Sequence, residues 1–128
     1  MTALLDTTVL TDLTRGTAEA AQFLDQQRTV NAPLQVSVIS AMELLVGCRN
    51  QHEVLKAQKS LERFSILQLT PAISQQAFDL IARYSRGYGL VIPDALIAAT
   101  ALIEGLSLYT HNDRHFQMIQ GLQVSRPY

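Results

Sequence analysis

Four carboxylates stand at points of the chain where one predicted element gives way to the next. Asp6 and Asp113 each follow a short apolar segment, Glu43 lies in the first turn after another, and Asp94 opens an Ala-rich helix directly behind Pro93. Carboxylates that cluster raise each other's pKa unless a positive charge lies among them. Oxygen ligands with several waters favour Mg²⁺ or Mn²⁺ over zinc. The chemistry that such an ion supports is phosphodiester hydrolysis by water, for which no side-chain nucleophile is needed.

The elements that must position these acids alternate between strands and helices. Parallel strands joined by helices bring the C-terminal ends of the strands to one edge of a sheet, where ligands bind. The pattern predicts a single α/β domain over residues 1–128, with a central, mostly parallel sheet of four to five strands and all four acids at one edge. Strands are predicted at residues 2–5, 34–39, 64–69, 106–109 and 122–124, helices at 7–13, 17–27, 40–47, 51–63, 73–86 and 93–104, and a break at 31–33.

Two of the acids also have a structural explanation. Asp94, in the first turn of its helix, could satisfy free backbone N–H groups and interact with the helix dipole. Ser40 and Glu43 have the spacing of a capping box, in which Ser40 begins the helix and Glu43 bonds back to its backbone. Such roles explain each acid singly, whereas four acids at one edge of a sheet indicate a binding site.

The composition limits the classes of protein to which the chain can belong. With 48% hydrophobic residues, 128 residues suffice for a packed core. The net charge of −1 argues against a strongly basic nucleic-acid binder but allows a local basic patch. Lys56, Lys59 and Arg63 share one helix face and could contact phosphates or simply face solvent. The single Cys48 excludes an internal disulfide and suits a reducing cytoplasm, and neither a membrane helix nor a leader is predicted.

Four motifs follow one another along the chain: LLDTTVL (4–10), SVISAMELLVG (37–47), IPDALIAATA (92–101) and THNDRHF (110–116). Together they resemble the PIN-domain ribonucleases, and most closely the VapC toxins of bacterial toxin–antitoxin pairs, over essentially the whole chain. The resemblance implies a three-layer α/β/α fold and Mg²⁺- or Mn²⁺-dependent endonucleolytic cleavage of RNA, often at one tRNA or rRNA site. It also implies a homodimer and a cognate antitoxin that wraps the toxin and blocks the acidic pocket.

The resemblance also assigns the site residue by residue. Asp6, Glu43 and Asp94 match the three acids of the family. The fourth polar position aligns with Asn112, next to Asp113, so the fourth ligand is Asn112, Asp113 or both through water. Of these we expect Asp113, because it carries charge. Under this assignment Asp6 and Asp94 hold the metal, directly or through water. Glu43 and Asp113 complete the site and orient the attacking water.

Other classes of function fit the sequence less well. A receiver-like phosphoacceptor needs an acidic pair near the first strand and a late lysine, but Asp6 is followed by Thr7 and Thr8, and the last lysine is Lys59. A haloacid-dehalogenase-like phosphatase needs an acid where Thr8 stands. The remaining alternative is a protein with the nuclease fold that binds antitoxin or RNA with little catalysis. Binding of Mg²⁺ at the acidic edge would separate this alternative from a nuclease.

Overall fold

A computed structural model describes residues 3–29 and 34–128, apart from the side chains of residues 28 and 29. Residue 2 of the first predicted strand and the predicted break at 31–33 lie outside the described residues. The described elements are β1 (Ala3–Leu5), α1 (Thr7–Arg15), α2 (Ala18–Thr29), β2 (Leu34–Ser37), α3 (Val38–Val46), α4 (Gln51–Leu61), β3 (Ser65–Leu67), α5 (Pro71–Tyr88), α6 (Ile92–Glu104), β4 (Ser107–Tyr109), a 3₁₀ helix (Asp113–His115) and β5 (Val124–Ser125).

The strands form one parallel sheet in the order β3-β2-β1-β4-β5. In the central strand β1, Leu5 is in register with Val36 of β2 on one side and Tyr109 of β4 on the other. The chain proceeds outward from β1 to β3 and then returns to the other side of β1, so the strand order reverses between β1 and β4. In open α/β sheets, ligands bind outside the C-terminal strand ends at this switch point. The predicted parallel sheet is confirmed, and its central strand leads directly into Asp6.

Helices cover both faces of the sheet. Successive residues of β1 point to opposite faces, and the apolar side chains on each face are buried against helices. Leu4 packs in one apolar cluster with Ile73 of α5 and Ile97 of α6, whereas Leu5 packs in a second cluster with Val9 of α1. All five of these side chains are fully buried. The two cores produce the three-layer α/β/α architecture that the resemblance implies. Within the described ranges, no helix is both long enough and apolar enough to cross a membrane.

Helix α3 begins earlier than the sequence predicts, and this change affects the role of Glu43. The sequence predicts a strand through Ile39 and a helix that Ser40 caps, but β2 ends at Ser37 and α3 begins at Val38. Ser37 is the N-cap, and its Oγ accepts a hydrogen bond from the backbone N of Ile39 (3.1 Å). Val38 and Ile39 are β-branched and therefore favour strands, but the cap places them in the first helical turn. The predicted capping box between Ser40 and Glu43 is wrong.

Other boundaries shift by a few residues. Helix α1 continues to Arg15, and α5 continues through Tyr88, beyond the predicted end at residue 86. Gly89 ends α5 because it adopts the left-handed conformation (φ 72°) that glycine tolerates best. Strand β3 is shorter than predicted, and β5 lies one to two residues later, where it pairs with β4. These shifts leave the predicted order of elements unchanged.

Candidate active site

Asp6 lies at the C-terminal end of the central strand, where the strand order reverses. Its backbone N donates a hydrogen bond to the carbonyl of Tyr109 in β4 (2.9 Å). The residue occupies the N-cap position of α1, but its side chain does not cap the helix. Its Oδ2 instead accepts a hydrogen bond from the buried hydroxyl of Thr110 (2.7 Å), and Asp6 is only 4% exposed. The strands β1 and β4 therefore hold this carboxylate at the sheet edge.

Glu43 reaches the same edge from α3. Because Ser37 caps this helix, the carboxylate of Glu43 is not used for capping. Thr7, directly after Asp6, donates a hydrogen bond from Oγ1 to Oε1 of Glu43, and the same hydroxyl lies 3.1 Å from Oγ of the buried Ser40. This contact ties the acid of α3 to the start of α1. Sequence reasoning did not assign a role to Thr7, although it stands beside Asp6 in the first motif.

Asp94 approaches the edge from the first turn of α6, on the other face of the sheet. Burial raises the pKa of Asp94 most, and the negative charge of Asp6 raises it further. The charge of Glu43 acts in the same direction, whereas His115 acts in the opposite direction. Nδ1 of His115 lies 3.3 Å from Oδ2 of Asp94. Acids from three separate elements thus lie close enough to influence one another, and His115 is a neighbour that sequence reasoning missed.

Asp113, the predicted fourth acid, has a partner of its own in this structure. It begins the 3₁₀ helix, and its Oδ1 lies 3.4 Å from Nε of Arg126 in a partly exposed ion pair. The main influences on the pKa of Asp94 come from burial and from other residues, namely Asp6, His115 and Glu43. Asn112 is exposed, and its backbone N donates a hydrogen bond to Oγ1 of Thr110 (2.9 Å), which in turn donates to Asp6. The loop after β4 is therefore joined to the site through Thr110.

The C-terminal residues hold this loop in place, a feature that sequence reasoning also missed. Nη2 of Arg126 donates a hydrogen bond to the carbonyl of His111 (2.9 Å). Oη of Tyr128 donates to Oδ2 of Asp12 in α1 (2.8 Å), and the rings of Tyr128 and His111 are 4.7 Å apart. Burial and the hydrogen bond with Asp12 raise the pKa of Tyr128, so the phenol remains a donor. No local motif signals these contacts, since Tyr128 and Asp12 are 116 positions apart.

The donor set fits a divalent cation that keeps much of its water. Asp6, Glu43 and Asp94 offer only oxygen atoms, and in the part of the chain described above no lysine or arginine forms an ion pair with them. Among residues 3–29 and 34–128, no three acidic, histidine or cysteine side chains surround a common ion position as they stand. Mg²⁺ does not require such a cage, because one or two carboxylates commonly hold it. Asp6 and Asp94 provide two, and a cation beside them would offset the repulsion that raises the pKa of Asp94.

Sequence comparison places the chain in a family. The profile of the PIN domain matches residues 3–122, so the chain belongs to the PIN-domain family. It is 36% identical over 121 residues to Ribonuclease VapC10 of Mycobacterium tuberculosis, covering 94% of this chain and 90% of that protein. It is 32% identical to Ribonuclease VapC19 of the same organism, covering 94% and 96%. The resemblance to PIN-domain ribonucleases of the VapC type is therefore confirmed.

Solved structures share the architecture. A toxin–antitoxin complex from Klebsiella pneumoniae contains a chain that is 35% identical, with a TM-score of 0.79 and 98% of each chain covered. VapBC2 from Rickettsia felis, bound to a DNA fragment from its promoter, has a TM-score of 0.84 at 22% identity, again with 98% of each chain covered. The second likeness shows the fold alone. Both comparisons agree with the α/β/α sandwich predicted from the sequence.

Proposed function

We propose that the protein is an endoribonuclease that requires Mg²⁺ or Mn²⁺ and acts as the toxin of a toxin–antitoxin pair. The observation that carries the proposal is the convergence of Asp6, Glu43 and Asp94 at the switch point of the sheet, which contributes to the raised pKa of Asp94. Carboxyl groups with perturbed pKa values cluster at functional sites, which supports a catalytic role for this group of acids. Two relatives that are more than 30% identical to this chain are named ribonucleases, which supports RNA as the substrate.

Each side chain at the edge has a role in this proposal. Asp6 and Asp94 hold the ion, directly or through water, and Glu43 orients the attacking water. The ion, when bound, supplies Lewis-acid activation of the phosphodiester and charge stabilisation at the leaving oxygen. Thr110 fixes the carboxylate of Asp6, and Thr7 fixes that of Glu43. These hydroxyls orient the acids before the substrate arrives, which reduces the reorganisation that the reaction requires.

The fourth position of the site remains a prediction. Asp113 is paired with Arg126 through Oδ1, so this ion pair offsets part of the charge that its carboxylate brings to the site. Asn112 carries no charge but precedes the same 3₁₀ helix. The variants Asn112→Ala and Asp113→Asn separate the two candidates, because the substitution with the greater loss of cleavage identifies the side chain that acts.

The direct test is cleavage of total RNA by the purified protein with Mg²⁺, with Mn²⁺ and with EDTA. We expect discrete fragments that depend on metal and disappear in the variant Asp94→Asn. A matched control is Asp79→Asn on α5, which removes an exposed carboxylate that accepts a hydrogen bond from Gln75 (3.1 Å). A folded protein that binds Mg²⁺ by calorimetry but cleaves no RNA has another substrate. A folded protein that neither binds Mg²⁺ nor cleaves RNA is a binding module with the nuclease fold.

We further infer that the protein binds a cognate antitoxin and forms a homodimer. The similar chain from Klebsiella pneumoniae belongs to a toxin–antitoxin complex, which supports an antitoxin as partner. Large apolar side chains on α3 and at the start of α6 are exposed, among them Val46 (84%) and Ile92 (65%), and such exposure is typical of protein interfaces. Light scattering of the protein alone and with the product of a neighbouring gene tests both associations.

A further inference from the structure

A groove of about 740 Å³ lies between α1, the C-terminal end of α3 and α4. Glu43 lines this groove and also belongs to the group of three acids, so the groove meets the candidate active site at Glu43. A substrate that reaches the acids can therefore extend along α1 and α4. The charge of the groove decides what kind of substrate this is.

Cations from three separate segments line the groove: Arg15 at the end of α1, Arg49 before α4, and Lys56 within α4. Arg49 is neutralised by Glu53, whose Oε2 lies 2.8 Å from its Nη2. Arg15 and Lys56 are exposed and have no ion-pair partner among the residues that the structure describes. A chain with a net charge of −1 thus places two available cations beside its acidic site.

The other lining residues favour a polyanion over a protein helix. The hydroxyls of Thr11 and Ser60 line the groove, and a hydroxyl can donate a hydrogen bond to a phosphate oxygen. An amphipathic helix binds by placing a row of large apolar side chains in an apolar groove. This groove offers few apolar side chains, chiefly the half-buried Leu44 and the buried Ala57. Single-stranded nucleic acid, in contrast, is held by a positively charged groove that follows its backbone.

We propose that Arg15 and Lys56 bind backbone phosphates of a single-stranded RNA that reaches the active site along this groove. The inference rests on the proposed function, because the bound RNA is the strand that the acids cleave. The sequence predicts one basic helix face that comprises Lys56, Lys59 and Arg63, and only Lys56 of these lines the groove. Lys56 lines the groove, whereas Lys59 does not, and the guanidinium of Arg63 lies 5.7 Å from the ring centre of Phe64.

The test measures binding of a short, fluorescein-labelled, single-stranded RNA of mixed sequence by anisotropy over a series of NaCl concentrations. EDTA is present throughout, so binding is measured without cleavage. Arg15→Gln and Lys56→Gln should each weaken binding several-fold. Each should also make the negative slope of log K against log [NaCl] shallower by about 0.7, the value for one phosphate contact on a single strand. The double variant should make the slope shallower by about twice as much. Arg15→Lys and Lys56→Arg, which keep the positive charge, should retain the wild-type slope.

Two control variants carry the same change of charge outside the groove. Lys59→Gln lies on the same helix, and Arg86→Gln lies on α5, across the sheet. An equal loss of slope in these controls would reveal diffuse attraction and overturn the assignment to Arg15 and Lys56. An unchanged slope in the groove variants would overturn it as well.

The same variants decide between RNA and a protein partner. If Arg15→Gln and Lys56→Gln weaken binding of a poly-glutamate peptide but leave RNA binding unchanged, the groove serves an acidic protein segment and the proposal is overturned. Failure of the nuclease proposal has a different signature. The wild-type protein would then bind RNA with the predicted salt dependence in EDTA and yet leave it uncleaved when Mg²⁺ or Mn²⁺ is added.

Discussion

Asp94 and Glu53 occupy the same position, the third residue of a helix, and their carboxyl groups are shifted in opposite directions. Glu53 lies in α4, where hydrogen bonds from the side chain and backbone of Arg49 lower its pKa to about 2. Asp94 lies in α6, where burial and the charge of Asp6 raise its pKa. The helix dipole stabilises an acid at either position, so the dipole does not account for the difference. Arg49, four residues away in the sequence, pairs with Glu53, whereas the fold places Asp94 near the acids Asp6 and Glu43.

A reciprocal capping interaction is found at the start of α4. The side chain of Asn50 accepts a hydrogen bond from the backbone N of Glu53 (2.9 Å), and Glu53 in turn accepts one from the backbone N of Arg49 (2.8 Å). This reciprocal arrangement resembles the capping box that the sequence predicts between Ser40 and Glu43. An acid that caps its helix is satisfied locally. Glu43 and Asp94 do not cap their own helices, and both lie at the candidate active site.

The largest expected effect separates the two acids by activity. Asp94→Asn should lower kcat/KM for RNA cleavage by about 10²- to 10³-fold, since loss of metal-based stabilisation costs several kcal/mol and 1.36 kcal/mol is a tenfold change. Glu53→Gln removes the same charge from the same helical position but should not lower cleavage, because it frees Arg49 beside the groove. Cleavage assays at saturating Mg²⁺ compare the two. Equal losses in the two variants would show that the effect of Asp94→Asn is not specific to the candidate site.

A smaller loss of activity is expected when the support of Asp6 is removed. Thr110→Val preserves shape but deletes the 2.7 Å hydrogen bond, and it should lower kcat by about 10-fold, as is usual for groups that orient metal ligands. Thr100→Val is the matched control, because this hydroxyl is equally buried but bonds the carbonyl of Leu96 within α6. Both variants should keep the same circular dichroism spectrum. A normal kcat in Thr110→Val would contradict the positioning role.

Stability in EDTA provides a third contrast. Because the pKa of Asp94 is raised, the native state holds a proton that the unfolded state releases, so stability falls as pH rises from the ordinary pKa of aspartate to the raised value. Asp94→Asn removes this charge and should have a higher Tm than wild type at neutral pH. Added Mg²⁺ should raise the Tm of wild type more than that of the variant. Thermal melts over pH, with and without Mg²⁺, test all three statements.

The smallest effect on stability is expected at Glu53, whose pKa is shifted in the opposite direction from that of Asp94. Its pKa is lowered from 4.5 to about 2, so the stability that it contributes is complete above pH 4.5 and is lost as pH falls toward about 2. Solvent screens this exposed pair, so Glu53→Gln should flatten the acid limb of the stability curve only slightly. Denaturant unfolding between these pH values measures the change. An acid limb that is as steep in the variant as in the wild type would show that the ion pair with Arg49 does not contribute to stability.

Much of the fold could be predicted because its signals are local. Apolar runs predict the strands, and the left-handed Gly105 ends α6 after Glu104, where the sequence predicts the end. Asp6 could be placed at the sheet edge because it directly follows an apolar strand. The start of α3 was predicted wrongly because Val38 and Ile39 favour a strand by intrinsic preference, and the cap at Ser37 overrides this preference.

The sequence by itself therefore determined the alternation of elements, the parallel sheet and the position of Asp6 and Asp94, since these follow from periodicity and from signals a few residues long. Tertiary structure alone decided which acids meet. It freed Glu43 from capping, paired Asp113 with Arg126, and set Arg15 and Lys56 on facing elements of one groove. The physical reason is that charge and hydrogen bonding depend on neighbours in space, and at this site those neighbours come from distant parts of the chain.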